Sequence, residues 1–340
     1  MSPEGVAAST VLVTGGAGFI GSHLVARLAK GSTTVLVLDN LSSGSRQNIS
    51  DGNVRLVLGD VRDEGLVDDL VKCSDTVFHL AEFIPETATW GIGHVVRYSV
   101  DNPLSDFDVG CRGTLVVLDK CRKHDKRLVF TSSAAVYGEN ANAPIKEEAP
   151  AVPSSPYGAS KLCAETYVRL YSHLYGTRAT ILRLFNVYGP WQRKYLMHDV
   201  LLKLLRDCHK LEILGTGREE RDFIYVDDVV DALLLVADDA RTHGELYNVG
   251  SGRSTSVKDV VAALLRILGQ HPDVIFTQTS WKGDVKALVA DVSRIIGLGF
   301  KCRYSLEEGL RELIEWFNTE FSVNLYAHLP PSIVRDSLSE

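Results

Sequence analysis

The sequence predicts an α/β protein, a doubly wound parallel sheet with a smaller, interleaved α+β lobe, and three observations predict it. Short apolar runs alternate with amphipathic stretches through the first half of the chain. Those runs are continuous and rich in Val and Leu, the pattern of parallel strands covered on both faces rather than of half-exposed strands. A glycine-rich turn joins the first run to the first amphipathic stretch, and after Asn186 Gly and Pro punctuate shorter elements.

In chain order, residues 11–14, 35–39, 54–58, 76–80 and 128–132 read as buried strands, and helical patterns lie near 19–29, 63–72, 106–122 and 156–175. Such βαβ alternation places helices on both faces of the sheet. Pro156 suits a first helical turn, where its missing N–H costs nothing, so Tyr157 sits near a helix start. Residues 180–185 add a strand. Helices at 196–207, 228–238, 256–268 and 306–318 then mix with short strands at 211–214, 222–226 and 246–249. This divides the chain into a sheet domain (1–185 plus about 222–250), a second lobe (about 186–221 plus 251–328) and a tail (329–340). No internal repeat or low-complexity tract is present.

Composition excludes several classes. The 340 residues are 45% hydrophobic and 23% charged, ordinary globular values, and leave room for roughly two domains of about 150 residues. The net charge of −7 argues against a general nucleic-acid binder. No apolar run approaches the ~18 residues of a membrane span. Met1 to Ser9 carries no positive charge and the first basic residue is Arg27, so no secretory leader is expected. The six cysteines show no C-x-x-C spacing; free thiols in a reducing cytoplasm are expected, with no metal site.

The turn after the first strand reads Gly15-Gly16-Ala17-Gly18-Phe19-Ile20-Gly21. Gly15 permits the tight turn, Gly18 a close approach of backbone to a pyrophosphate, and Gly21 close helix–strand packing. The pyrophosphate is expected at the helix N-terminus, where free N–H groups and the dipole favour anions. Asp39 ends the next strand. A carboxylate there accepts hydrogen bonds from ribose hydroxyls and repels a 2′-phosphate, which favours NAD over NADP. Together these are the marks of a Rossmann-type NAD site. Asp60 and Val61, after the third strand, either flank the adenine or form a surface turn.

Tyr157 and Lys161 are spaced i, i+4, which puts both on one helix face. A free tyrosine has a pKa near 10, so service as a base near neutrality requires lowering by roughly 3 units, about 4 kcal/mol. A lysine ammonium and a positively charged nicotinamide ring can supply this. Ser133, at the end of the 128–132 strand, can hydrogen-bond the hydroxyl that Tyr157 deprotonates. Ser133, Tyr157 and Lys161 are therefore the candidate catalytic residues.

At this point the chain resembles the extended short-chain dehydrogenase/reductases, in particular the nucleotide-sugar epimerases and dehydratases. The resemblance rests on the glycine turn, Asp39, His79-Leu80-Ala81, the TSSAAVYG run from Thr131 to Gly138, the YGASK run from Tyr157 to Lys161, the FNVYGP run from Phe185 to Pro190 and the RDFIYVDD run from Arg221 to Asp228. It covers about residues 10–320. It implies further NAD contacts from Phe19, Ile20, Asn40, Ser43, Gly44, Leu80, Ala81, Tyr157 and Lys161, and a nucleotide-sugar substrate touched by Ser132 and Ser133. It implies also that Asn186 and Arg221 contact the substrate diphosphate, where an arginine fork grips phosphate oxygens. The plain alternatives are a salt bridge from Arg221 to Asp222 or another acid, and a strand-end turn at Asn186.

The 4,6-dehydratases of this group place an acidic residue directly after the catalytic Ser/Thr. Here Ala134 and Ala135 stand there, and neither does acid–base work, so the run resembles the 4-epimerases. The resemblance then implies that Tyr157 takes the 4-hydroxyl proton while the C4 hydride passes to NAD⁺. The 4-keto sugar turns over, and the hydride returns to its other face. Arg193, in Gly-Pro-Trp-Gln-Arg, resembles the arginine of UDP-glucuronate 4-epimerases and decarboxylases. A guanidinium can hold a C6 carboxylate bidentately, so UDP-glucuronate is the expected substrate. A phosphate, an acid or a partner subunit is the other destination for Arg193. UDP-glucose and UDP-N-acetylglucosamine are the alternative substrates, a nucleotide-sugar ketoreductase or uronate decarboxylase the alternative enzymes, and a non-catalytic dinucleotide sensor a third class.

Several positions depart from the pattern. Gly110 stands where the group usually has Asn, a residue that helps place the catalytic lysine, so backbone or water must take over. Glu82 replaces a small residue beside the cofactor. Trp281-Lys282-Gly283-Asp284 replaces Arg-Pro-Gly-Asp, which makes Lys282 and Asp284 candidate substrate contacts. Residues 83–105 form a longer segment than usual, either a lid or a surface insertion. Leu288, where epimerases gate the 2-substituent, is intermediate in size. A homodimer is expected through the helix bearing Tyr157 and the helix near 106–122, with Leu115, Leu118 and Leu162 either at the interface or in the core.

Overall fold

The computed structural model describes residues 9–49, 52–82, 95–139, 143–279, 285 and 287–326. The first half contains β1 (Thr10–Thr14), α1 (Phe19–Leu28), β2 (Thr34–Asp39), β3 (Val54–Leu58), α2 (Glu64–Lys72), β4 (Thr76–His79), α3 (Val95–Asp101), α4 (Pro103–Phe107), α5 (Thr114–Lys123), β5 (Arg127–Ser133), α6 (Pro156–Tyr175) and β6 (Ala179–Leu184). The second half contains β7 (Asn186–Tyr188), α7 (Tyr195–Arg206), β8 (Lys210–Ile213), β9 (Glu220–Arg221), β10 (Phe223–Tyr225), α8 (Val226–Asp238), β11 (Leu246–Val249), β12 (Thr255–Ser256), α9 (Val257–Leu268), β13 (Asp273–Phe276), β14 (Ala287–Leu288), α10 (Ser293–Ile296) and α11 (Leu306–Glu320).

Seven parallel strands form the central sheet in the order β11-β6-β5-β4-β1-β2-β3. The continuous apolar runs follow from burial on both faces. Val11 and Val13 pack with α1 and α8 on one side, and Leu12 packs with α2, α5 and α6 on the other. A third apolar core joins α7, α9 and α11 through residues such as Leu201, Leu264 and Phe317. Three small sheets complete the second half, and one pairs β13 with β8 in parallel.

The helix expected near 106–122 is interrupted. Asp108–Gly113 form a π-helical turn between α4 and α5. This wider turn carries Gly110 and Gly113, and a Cβ on Gly113 would stand 2.8 Å from a Val61 methyl. Helix α6 begins as expected: the Ser155 hydroxyl accepts from the Gly158 N–H, Pro156 follows it, and Gly176 ends the helix in the left-handed region. Of the three leucines considered for an interface, Leu118 is fully buried beneath the sheet, with Leu115 packed against the same core. Leu162 packs against a separate cluster with Tyr137 and Phe185. Leu118 is therefore intramolecular core, while Leu115 and Leu162 are each partly buried within the chain.

Candidate active site

The carboxyl ends of the strands open into a cavity of about 770 Å³, at the position where open α/β sheets take ligands. Its cofactor end is lined by Gly15, Gly18, Phe19, Ile20, Gly21, Asp39, Asn40, Ser43, Gly44, Asp60, Val61, Leu80 and Ala81. Ser132, Ser133, Tyr157 and Lys161 line its middle, and Asn186, Arg193, Arg221 and Leu288 its far end. Lys282, Asp284 and residues 83–94 of the long segment lie outside the described residues.

The glycines of the first turn are required by space as well as by backbone angle. Gly15 has φ +69°, and a Cβ on it would stand 2.8 Å from the Ala81 backbone. A Cβ on Gly21 would stand 2.2 Å from the Gly15 carbonyl oxygen. Asp39 spans the turn: its carboxylate accepts from Ala17 N at 2.9 Å and from Leu41 N at 2.8 Å. Burial raises its pKa, against the pull of those two N–H groups. Each oxygen keeps a lone pair for ribose hydroxyls. Asp60 is gripped by Arg62 through Nε and Nη2, each at 2.8 Å, which holds its carboxyl below the usual range. Arg62 also reaches Asp108 at 2.8 Å, so the strand-end loop is tied to the π-helical turn.

Tyr157 enters the cavity from the first turn of α6, where its N–H donates to Ser99 Oγ at 3.0 Å. Burial pushes its phenol well above the ordinary range, the nearby Glu82 carboxylate adds to this, the hydrogen bond with Ser133 opposes it, and Asp106 adds a further increment. Ser133 is fixed in turn, because its hydroxyl accepts from Ala135 N at 3.2 Å. Lys161 lies one helical turn on, with Nζ 6.0 Å from the centre of the Tyr157 ring. That ammonium donates to the Thr131 carbonyl at 3.0 Å and stands 2.6 Å from the Glu82 carboxylate. Lys161 is thus held by a backbone carbonyl and by a carboxylate, with Gly110 supplying no side chain. His79 is buried behind this group, between Thr14 Oγ1 at 2.6 Å and Thr114 Oγ1 at 2.9 Å. Burial, then the Lys161 charge, push its pKa down to about 3, so it is a neutral brace between β1, β4 and α5.

Beyond Tyr157 the side chains are already engaged. Ser132 lines the cavity, but its hydroxyl donates to Glu165, which also holds Arg183 through bonds of 2.9 and 2.6 Å. Asn186 Nδ2 donates to the Asp222 carbonyl at 3.4 Å, and Arg221 Nη1 to the Glu220 carbonyl at 2.8 Å. The Asp222 carboxylate accepts from Ser251 N and Oγ, Gly252 N and Ala290 N, which locks β9 and β10 in place. Arg193 lines the cavity while its guanidinium pairs with Glu320 and lies 5.9 Å over the Trp316 ring.

Three residues here escape sequence reasoning. Asp106 is buried and accepts from Ser160 Oγ at 2.6 Å; burial raises its carboxyl to about 6. Lys194 caps α7 at the cavity wall, with Nζ 5.6 Å over the Tyr98 ring, and burial lowers its pKa to about 8. Glu320 comes from the far end of α11. The signal for Lys194 was its place beside Arg193; the other two left none.

With this geometry established, comparison identifies the class. The model of the NAD-dependent epimerase/dehydratase family matches residues 11–250, and the chain belongs to that family. The chain is 36% identical over 313 residues to a putative UDP-glucose 4-epimerase of Methanocaldococcus jannaschii, covering 90% of this chain and 97% of that one. Among solved structures, UDP-glucose 4-epimerase of Thermotoga maritima with UDP-glucose superposes with a TM-score of 0.83 at 34% identity, over 92% of this chain and 99% of that one. MoeE5 in complex with UDP-glucuronic acid and NAD gives 0.79 at 33% identity, over 92% and 100%.

The protein is accordingly an enzyme of the epimerase class with NAD as its cofactor. Its own residues fit NAD. The glycine turn packs against Ala81 and on itself so closely that a Cβ at Gly15 or Gly21 would force it apart, and its backbone lines the trough. Asp39 would offer its carboxylate to the ribose, and Tyr157 and Lys161 line the same trough.

Proposed function

We propose that the protein inverts C4 of a UDP-hexose through a 4-keto sugar, with Tyr157 as the group that takes and returns the 4-hydroxyl proton. The observation that carries this reading is the juxtaposition in one cavity of Ser133, Tyr157 and Lys161 with the cofactor cradle. Ala134 and Ala135, the residues that would carry a dehydratase's acids, have no ionisable group. NAD supplies the hydride acceptor and, on the return, the donor. Ser133 orients the sugar hydroxyl. Lys161 holds positive charge near the phenol and favours its deprotonated form. Asn186 and Arg221 are the diphosphate contacts, with Lys282 and Asp284 as further candidates from the sequence.

A neutral UDP-hexose such as UDP-glucose comes first, because the Arg193 guanidinium already has a carboxylate and an aromatic partner in Glu320 and Trp316. UDP-glucuronate is the second reading. Its support is that Arg193 lines the cavity and that a substrate carboxylate can exchange with Glu320. The test incubates purified protein separately with each sugar nucleotide, without added cofactor, and follows the products by NMR. Appearance of UDP-galactose supports the first reading, and appearance of UDP-galacturonate the second. No conversion of either by folded, NAD-loaded protein overturns the proposal.

A homodimer belongs to the same proposal. Tyr167, Leu170 and Leu174 of α6 are 38, 43 and 57% exposed and share one face at i, i+3, i+7. A second copy covers them in this reading. Light scattering on Leu170→Arg tests it: the variant should run as a monomer, and an unchanged state for both proteins contradicts the assignment.

A further inference from the structure

We propose that Glu82 is the positioning residue for Lys161, filling the space that the absence of a side chain at position 110 leaves open. The inference rests on the reading of Tyr157 and Lys161 as the proton-transfer pair. Two departures from the family pattern, far apart in the sequence, meet here in space. A Cβ built on Gly110 would stand 3.1 Å from Glu82 Oε1 and 3.4 Å from Ser160 Cβ. The Glu82 carboxylate therefore lies beside the bare backbone of the π-helical turn, on the side facing α6. From there it stands 2.6 Å from Lys161 Nζ, with the two side chains 13% and 4% exposed.

The backbone of Glu82 is anchored by its neighbour, since Ala81 N donates to Thr14 Oγ1 at 3.3 Å. Lys161 has a four-carbon stem with several rotatable bonds. The Thr131 carbonyl alone fixes one of its three donors, and the carboxylate fixes the ammonium from a second direction. The charged and titratable groups around Nζ are Glu82, Asp106, Tyr157 and the neutral His79. Asp106 is turned to Ser160 Oγ at 2.6 Å, which leaves Glu82 as the carboxylate in contact with the ammonium among the described residues.

Glu82 thus has two separable effects. It holds Lys161 in place, and its charge raises the proton affinity of Tyr157. The test uses Glu82→Gln, Glu82→Ala and the double variant Glu82→Ala/Gly110→Asn. In Glu82→Ala, kcat should fall by roughly 10- to 100-fold with KM little changed, the penalty of a misplaced catalytic group. Gly110→Asn in that background supplies an amide oxygen to the ammonium and should restore at least about tenfold of the loss. Glu82→Gln keeps a hydrogen-bond acceptor but removes the charge. The acid limb of its kcat profile should move to lower pH by roughly one unit.

A second readout needs no turnover. Acetylation of Lys161 in the cofactor-free protein, measured by mass spectrometry against the other lysines as internal controls, should be faster in Glu82→Ala and slow again in the double variant. Unchanged acetylation of Lys161 in Glu82→Ala overturns the positioning role even if the wild type has no epimerase activity. A turnover loss that Gly110→Asn leaves untouched also overturns it. Absence of turnover in the wild type, with the acetylation pattern as expected, instead removes the functional reading and keeps the contact.

Discussion

The two ends of the cavity are built from different materials. At the cofactor end the walls are backbone: glycines at 15 and 21 that admit no Cβ, and a carboxylate, Asp39, tied to two main-chain N–H groups. At the far end the walls carry long charged side chains held by other side chains: Arg193 by Glu320 and Lys194 by Tyr98. A backbone cradle is rigid and fits one ligand. Paired side chains can exchange partners, and such a surface changes its substrate by substitution without disturbing the fold. Tyr157 and Lys161 sit between them and combine both materials, with Lys161 held by the Thr131 carbonyl and by Glu82.

The comparison is tested hardest at its centre. Tyr157→Phe removes the proton acceptor and leaves the packing, so turnover should fall by roughly 10³-fold while NAD content stays unchanged. A variant with near-normal turnover breaks the mechanism. At the cofactor end, Asp39→Ala should weaken NAD binding by roughly 10- to 100-fold, the worth of hydrogen bonds to a charged group. It should also narrow the preference over NADP, and calorimetry with both dinucleotides checks this. Equal losses for the two contradict the ribose assignment.

Asp106 gives a pH-dependent test of the structural layer behind the site. Its carboxyl is raised by burial from 3.8 to about 6, so the folded state binds its proton more tightly than the unfolded chain. The stability from this group is complete below about pH 4 and is lost as pH rises through about 6. Asp106→Asn keeps the acceptor for Ser160 and should be more stable than wild type by roughly 1–3 kcal/mol at pH 7.5. The gap should shrink as pH falls toward 5. Denaturant unfolding at the two pH values checks this, and a difference from wild type that is the same at both contradicts it. The smallest effect is expected at the sugar end. Arg193→Ala should change turnover of UDP-glucose by less than about threefold, since an exposed or half-buried ion pair contributes little. A large loss confined to UDP-glucuronate would favour the uronate reading.

What was legible in the sequence follows the same division. The sheet strands, the glycine turn, Asp39 and the Tyr157–Lys161 spacing depend on local pattern; the strands form the expected parallel sheet, and Gly15, Asp39, Tyr157 and Lys161 line one cavity. The π-helical turn at Asp108–Gly113 and the parallel pairing of β13 with β8 depend on tertiary packing, which no period in the chain announces. The pairing of Arg193 with Glu320 joins positions 127 residues apart. Glu82 and Gly110 were both visible as departures, but only the fold brings them together beside Lys161. Leu118 shows what local pattern leaves open: an apolar helix residue suits an interface or a core, and the sheet buries it.

The central claim is that the hydrogen removed from C4 returns to C4. UDP-glucose labelled with deuterium at C4, incubated with the protein in ordinary water without added cofactor, tests this directly by NMR. The account predicts UDP-galactose carrying the deuterium at C4, with the label retained in the remaining UDP-glucose. Loss of the label to solvent, or its migration to C6 with formation of a 4-keto-6-deoxy product, would contradict the account.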